Sequence, residues 1–202
     1  RLSLANLQAS LDGINIKGTI SALIKPDQIT TFSSLLDIDR IDLSRYLKSS
    51  TIDKKTELMQ QTAAKKNLNE SLPLNVLDRA NLLLTTHIDS LIYDGITVSK
   101  IRSAIEVNDG NINTFQATAD AFQSTLDIDA KLLRHQSSTP QLTIKASATE
   151  LDIMALLKAL DRSSKPSAKP LMTGTLNLAN NWQMAGSSIG SWQASLTGNS
   201  KV

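Results

Sequence analysis

The run from Pro140 to Leu160, PQLTIKASATELDIMALLKAL, constrains the fold more than any other stretch because its periodicity changes partway. Leu142, Ile144, Ala146 and Ala148 alternate with Thr143, Lys145, Ser147 and Thr149, the period of a strand with one apolar and one wet face. From Asp152 onward the apolar residues fall at Ile153, Leu156, Leu157 and Leu160, one stripe of a helix. Asp152 is placed to cap that helix, its carboxylate accepting from amides of the first turn. A strand passing directly into a short helix, with both apolar faces on the same side, builds a sheet with a helical lid at its edge.

The same unit recurs upstream. Asp42, Leu43 and Leu47 match Asp152, Ile153 and Leu157 at a constant offset, behind a strand that alternates through Leu36 and Ile38. Two capped turns behind matching strands predict an internal repeat, with helices at Asp42–Leu47 and Asp152–Leu160.

The remaining segments read as strands joined by tight turns. Asp12-Gly13 and Asp109-Gly110 are hairpin signals, since both residues of a two-residue turn need positive φ. Ile16 and Ile20 share a face of the second strand; Leu84 and Ile88, then Ile101 and Ile105, share faces of the next pair. Phe115 leads a strand continued by Ala117, Ala119 and Ala121, and Leu126 and Ile128 lead the one after it. Pro73 opens a helical turn, and the region 182–198 reads as a turn plus a short helix. The organisation is a partial β repeat over 1–48, a polar linker over 49–72 and a β meander with its terminal helix over 73–160. A second linker over 161–169 and the start of a further repeat over 170–202 complete the chain. The fold class is mainly β: an antiparallel meander of long strands forming an open curved sheet or groove, with a closed β-sandwich as the alternative.

Composition narrows function by exclusion. The net charge of +2 is small, and the basic residues form no run interleaved with aromatics, so the pattern gives no nucleic-acid partner. Cysteine is absent, which removes disulfides and thiolate metal sites. His87 and His135 stand on different segments, and His87 reads as a solvent-face strand residue. Asp127 and Asp129 share a strand face beside Lys131, a solvated surface rather than a cation site. Phosphate loops and nucleophile elbows are missing, so neither an enzyme, a cofactor nor a metal is expected.

Aliphatics supply most of the apolar content, with aromatics at 3%. A long sheet with such a face suits acyl chains, and small residues such as Gly18, Ala117 and Ala146 leave room along it. The candidate lipid-facing residues are Ile16, Ile20, Leu84, Ile88, Ile101 and Ile105, continued by Phe115, Leu126, Ile128, Leu142 and Ile144. The same alternation is compatible with a filled sandwich core, and periodicity alone leaves both open.

Leu151-Asp152-Ile153-Met154-Ala155-Leu156-Leu157-Lys158-Ala159-Leu160 resembles the xVDLxxLLxxL element of the AsmA family. Gly174-Thr175-Leu176-Asn177-Leu178, Gly186 and Leu196-Thr197-Gly198 come after it in the order of that family's glycine-punctuated tail. Pro73-Leu74-Asn75-Val76-Leu77 and Asp109-Gly110-Asn111-Ile112 are similar to its upstream segment. Met172-Thr173-Gly174 lacks the second glycine of the pair that the family's tail carries. The resemblance implies a periplasmic segment of a Gram-negative envelope protein, anchored in the inner membrane through a segment outside this chain. It further implies phospholipid, or another acyl lipid, as partner, together with the rest of the same polypeptide. The implied role is phospholipid movement between inner and outer membranes and outer-membrane biogenesis.

Overall fold

The computed structural model describes residues 2–25, 29–45, 69–93, 95–134, 139–160 and 173–202. Most of the two expected linkers, with Leu47, His135 and Met172, lies outside these residues.

All ten strands join one sheet in chain order: β1 (Leu2–Leu11), β2 (Ile14–Leu23), β3 (Thr31–Asp42), β4 (Asn81–Tyr93), β5 (Ile96–Asn108), β6 (Asn111–Ala121), β7 (Ser124–Leu133), β8 (Gln141–Asp152), β9 (Thr175–Ala185) and β10 (Thr197–Lys201). The first and last strands do not pair, so the sheet is open and the sandwich alternative fails. Only Val107, Ala121, Leu132, Ala148 and Leu151 are buried hydrophobics among the described residues, as expected when no second sheet covers the first.

One pair departs from the expected antiparallel meander. β3 and β4 run parallel, Thr31 beside Asn81 and Asp42 beside Ile92. Parallel neighbours need a connection that returns along the full strand length, and residues 43–80 supply it. Alternation fixes which residues share a face but not strand direction, so the sequence pattern carried no signal for this reversal.

Two-residue turns join several of the antiparallel pairs. Asp12 and Gly13 take φ of 51° and 80°, and Asp109 and Gly110 take 49° and 75°, as their residue types predict. The β6–β7 turn is different, because Phe122 and Gln123 hold φ of 53° and 59° without a glycine. A left-handed non-glycine residue costs about 1–2 kcal/mol. Gln123 is exposed, so Gln123→Gly should raise stability by roughly 0.5–1 kcal/mol once glycine's added unfolded-state entropy is set against that strain. An unchanged denaturation midpoint would contradict it.

Irregularities reset the alternation where it would otherwise fail. Leu4 and Leu7, Ile112 and Phe115, and Ala148 and Leu151 stand three apart, each pair spanning a register shift. Asn6 and Glu150, at φ of 58° and 57°, take up the extra residue in β1 and β8. Between β2 and β3, the Asp39 carboxylate accepts from the backbone N–H and the Nδ2 of Asn15 at 2.9 and 2.6 Å. The Asn15 backbone bond leads in holding that carboxyl below its usual range, with the Asn15 side chain and the Arg40 amide adding to it. The joint is therefore intact at neutral pH and weakens as pH falls through the lowered value.

Helix is minor. Both repeat aspartates act as expected: Asp42 Oδ1 accepts from Ser44 N at 3.1 Å, and Asp152 Oδ1 from Ala155 N at 3.0 Å. The two caps lead into unlike structures. Asp152 precedes α1 (Ile153–Leu160), whereas the described residues after Asp42 form a 3-10 turn, η1 (Leu43–Arg45), and the remainder of the expected helix lies outside the described residues. The turn opened by Pro73 is a second 3-10 helix, η2 (Leu74–Asp78). The C-terminal region holds the expected turn and short helix, but β9 first continues through Trp182 to Ala185. α2 (Ile189–Ser195) then forms behind a reciprocal Ser188–Ser191 cap, and β10 pairs with β9 as the last strand in the order.

Candidate functional site

In-register partners share a sheet face, so the strand pairings sort side chains without ambiguity. Leu4, Ile20, Ser34, Leu84, Ile105, Phe115, Ala130, Ile144 and Trp182 form one cross-strand row from β1 to β9. Next to it runs a smaller, lower row: Gly18, Leu36, Thr86, Ser103, Ala117, Ile128, Ala146 and Asn180. A third row carries Ile16, Ile38, Ile88 and Ile101 over β2–β5, then Ala119, Leu126, Ala148 and Leu178 over β6–β9. The fourth includes Phe32, Leu82, Val107, Ile112, Leu132, Leu142 and Met184.

The eleven lipid-facing candidates therefore lie on a single face. Ile20, Leu84, Ile105, Phe115 and Ile144 fall in the first row and Ile128 in the second. Ile16, Ile88, Ile101 and Leu126 fall in the third, and Leu142 in the fourth. The face is about 43 Å wide from β1 to β10 at one strand spacing per step.

Burial along this face is uneven. Val107 and Leu132, each 3% exposed, mark one end of the strands, and Ala148 and Leu151 mark the other, where α1 begins. Between these ends Ile128 is 40% exposed. At the first end the segment from Ser71 to Ala80 runs along the strand termini. Leu72 N donates to Ser187 O at 2.7 Å beyond β9, and the chain then reaches β4 at Asn81. Arg134 fastens it: Nη1 donates to Leu74 O and Asp78 Oδ1 at 2.8 Å and to Gly110 O at 3.1 Å, while Nη2 donates to Asp78 Oδ2. At the second end Asp152 N donates to Phe122 O, tying the base of α1 to the strained turn. Of the repeat-helix residues, Leu43, Ile153 and Leu156 are half-buried and Leu157 is 45% exposed.

The opposite face is polar. Lys17, Asp37, His87, Arg102, Thr118, Asp127 and Ser147 form one row, and Gln116, Asp129, Lys145, Asn181 and Asn199 form another. His87 is on the solvent face as expected, but it has an acidic neighbour: its Nδ1 lies 3.0 Å from Asp37 Oδ1. Fifty residues separate the two in sequence, and the β3–β4 pairing brings them together. Asp129 accepts from Gln116 Nε2 at 3.2 Å and faces Lys145, consistent with a solvated surface. A depression of about 600 Å³ over β6–β10 is lined by these amides and opposite charges together with Ala117, Ile128, Ala146 and Ala179. Leu23, Leu35, Leu83 and Leu133 depart from this pattern, 41%, 43%, 53% and 41% exposed, and Ile41, Leu91 and Val98 form an apolar row on the same face. Among the described residues no three His, Cys, Asp or Glu side chains gather as metal ligands.

Sequence reasoning missed Arg134, whose partners come from separate segments. It also missed the Phe122–Gln123 turn and Thr86, a polar residue only 9% exposed on the apolar face. No family model, curated protein or solved structure matches the chain.

Proposed function

We propose that this chain is a non-enzymatic periplasmic segment of an AsmA-like protein whose apolar sheet face carries phospholipid between the inner and outer membranes during outer-membrane biogenesis. The observation behind this reading is the aliphatic face that runs from β1 to β9, with Ile128 exposed at its centre. Such a face in water carries a standing free-energy cost that a bound hydrocarbon relieves. Each buried methylene contributes about 0.8 kcal/mol, so an acyl chain of roughly 16 carbons with half its surface covered gains about 6 kcal/mol. The low row through Gly18, Ser103, Ala117 and Ala146, between bulkier rows, accommodates a chain lying across the strands. The polar face keeps the other side wet.

Leu35 and Leu83, exposed on that polar face, favour a second reading in which the sheet is an adaptor for other envelope proteins. Native mass spectrometry after exchange from phospholipid micelles separates the two. Lipid adducts that persist under gentle activation support the carrier reading; a clean apo mass favours the adaptor.

A further inference from the structure

The depression over β6–β10 lies on the polar face, and we propose that it binds a neutral oligosaccharide lying across the strands. Its side chains come from two adjacent cross-strand rows, one running from Gln116 to Asn199 and the next from Thr118 to Lys201. Ala117, Ile128 and Ala146 alternate with these residues along the strands and so line the floor with backbone. In the second row Ser147 and Ala179 are short, which lowers the floor between Asp127 and Lys201. Strands about 4.8 Å apart make each row roughly 19 Å long over five strands. The volume of about 600 Å³ falls among ligand clefts, which span roughly 300–1,000 Å³.

Its polar groups do not satisfy one another, and this separates it from the rest of the wet face. A second polar depression, over β1–β4, is internally paired, Asn15 with Asp39 and His87 with Asp37. Over β6–β10, among the described residues, the Gln116–Asp129 bond is the sole side-chain pairing. Asp127, Lys145, Asn199 and Lys201 make no side-chain hydrogen bond or ion pair there. Asn181 Oδ1 is buried in the same row with no partner, the only such side-chain atom among the described residues. A buried acceptor left unpaired is costly and marks a missing donor. The last torsion of an asparagine is soft, so a donor arriving in the depression can draw that oxygen out. The kinds of group present select the ligand. Donors and acceptors are interspersed, which suits hydroxyls, since each hydroxyl both donates and accepts. The carboxylates of Asp127 and Asp129 balance the ammonium groups of Lys145 and Lys201, so a polyanion gains nothing. No aromatic ring lines the depression to stack a base, and an extended peptide adds to a sheet's edge rather than its face. Along each row the strands offer a side chain about every 4.8 Å, close to the advance of one sugar ring. A neutral glycan is the ligand that this lattice of groups matches.

The test is independent of what the apolar face carries. Cellohexaose, maltohexaose and chitohexaose are each titrated into the isotope-labelled chain. At least one should shift the side-chain amide signals of Gln116, Asn181 and Asn199, with a dissociation constant of about 1 mM or below. Asp127→Ala and Asn181→Ala should each weaken that binding about tenfold. Ala179→Trp, which fills the exposed floor, should abolish it. His87→Ala, in the internally paired depression, should leave it unchanged. The same spectra report whether each variant is folded, and the exposed Asp127 site tests the proposal even if the bulkier Ala179→Trp does not fold. No shift from any of the three sugars at about 10 mM would overturn the proposal. So would sugar binding that Asp127→Ala and Asn181→Ala leave intact, an equal loss in His87→Ala, or tighter binding of heparin, a sulfated polyanion, than of the neutral sugars.

Discussion

Arg134→Ala is expected to lower the melting temperature by roughly 5–10 °C and to release the segment over 71–80. The guanidinium is 21% exposed and bonds two backbone carbonyls from separate segments and both oxygens of Asp78. Removing it leaves Leu74 O and Gly110 O without this donor, a loss of about 2–3 kcal/mol. In a chain of this size each kcal/mol shifts the midpoint by about 2–4 °C. Asp78 is 55% exposed, so its carboxylate rehydrates and adds little to the cost. Arg134→Lys should recover only part of the loss, because an ammonium cannot reproduce the fork that holds Asp78 and the carbonyls together. Hydrogen exchange would locate the effect: the Leu72, Leu74 and Val76 amides should lose protection, while the β4–β5 amides should not. A midpoint within about a degree of the parent, where several are expected, would mean that the clamp holds nothing.

Much of the sheet was legible because a half-wet strand writes its faces into alternate residues. Ile16 with Ile20 in β2, Ile101 with Ile105 in β5, and Leu142 with Ile144 and Ala146 in β8 needed only period two. Asp12-Gly13 and Asp109-Gly110 were readable because few residue pairs tolerate two positive φ values. The β6–β7 turn was not, since Phe122 and Gln123 adopt that conformation against their own preference and only the flanking pairing compels them. The cap residues Asp42 and Asp152 were legible, but not the difference between the 3-10 turn at Leu43–Arg45 and the eight-residue helix α1. Capping chemistry starts a helix and does not set its length. The parallel β3–β4 pair, the His87–Asp37 contact and the Arg134 clamp all depend on long-range pairing, which no local period encodes.

Ile128→Asp should leave a folded sheet that no longer carries lipid. Ile128 sits in the low row between Ala117 and Ala146 and is 40% exposed, so an aspartate there reaches water. The lost aliphatic burial costs about 1–2 kcal/mol, below what unfolds a typical domain. A bound acyl chain would cover that carboxylate and strip its water, a penalty of several kcal/mol that its row neighbours Ala117 and Ala146 cannot offset. Lipid affinity should therefore fall by roughly a hundredfold or more. Thr125→Asp, exposed on the polar face of the same strand, should be nearly silent in both stability and lipid binding. If Ile128→Asp unfolds the chain, the centre of the face behaves as a closed core; if it folds and holds lipid as the parent does, acyl chains do not pass this position.

Site-specific photocrosslinking tests most directly whether one face of the sheet carries lipid and the other does not. A photoreactive side chain placed at Ile88, Ile128 or Ile144 samples the apolar face, and one at Arg102, Thr118 or Lys145 samples the polar face. With phospholipid present, adducts are expected from the first three positions and not from the second three. Equal labelling from both faces, or lipid adducts from neither, would contradict an apolar sheet face that carries lipid.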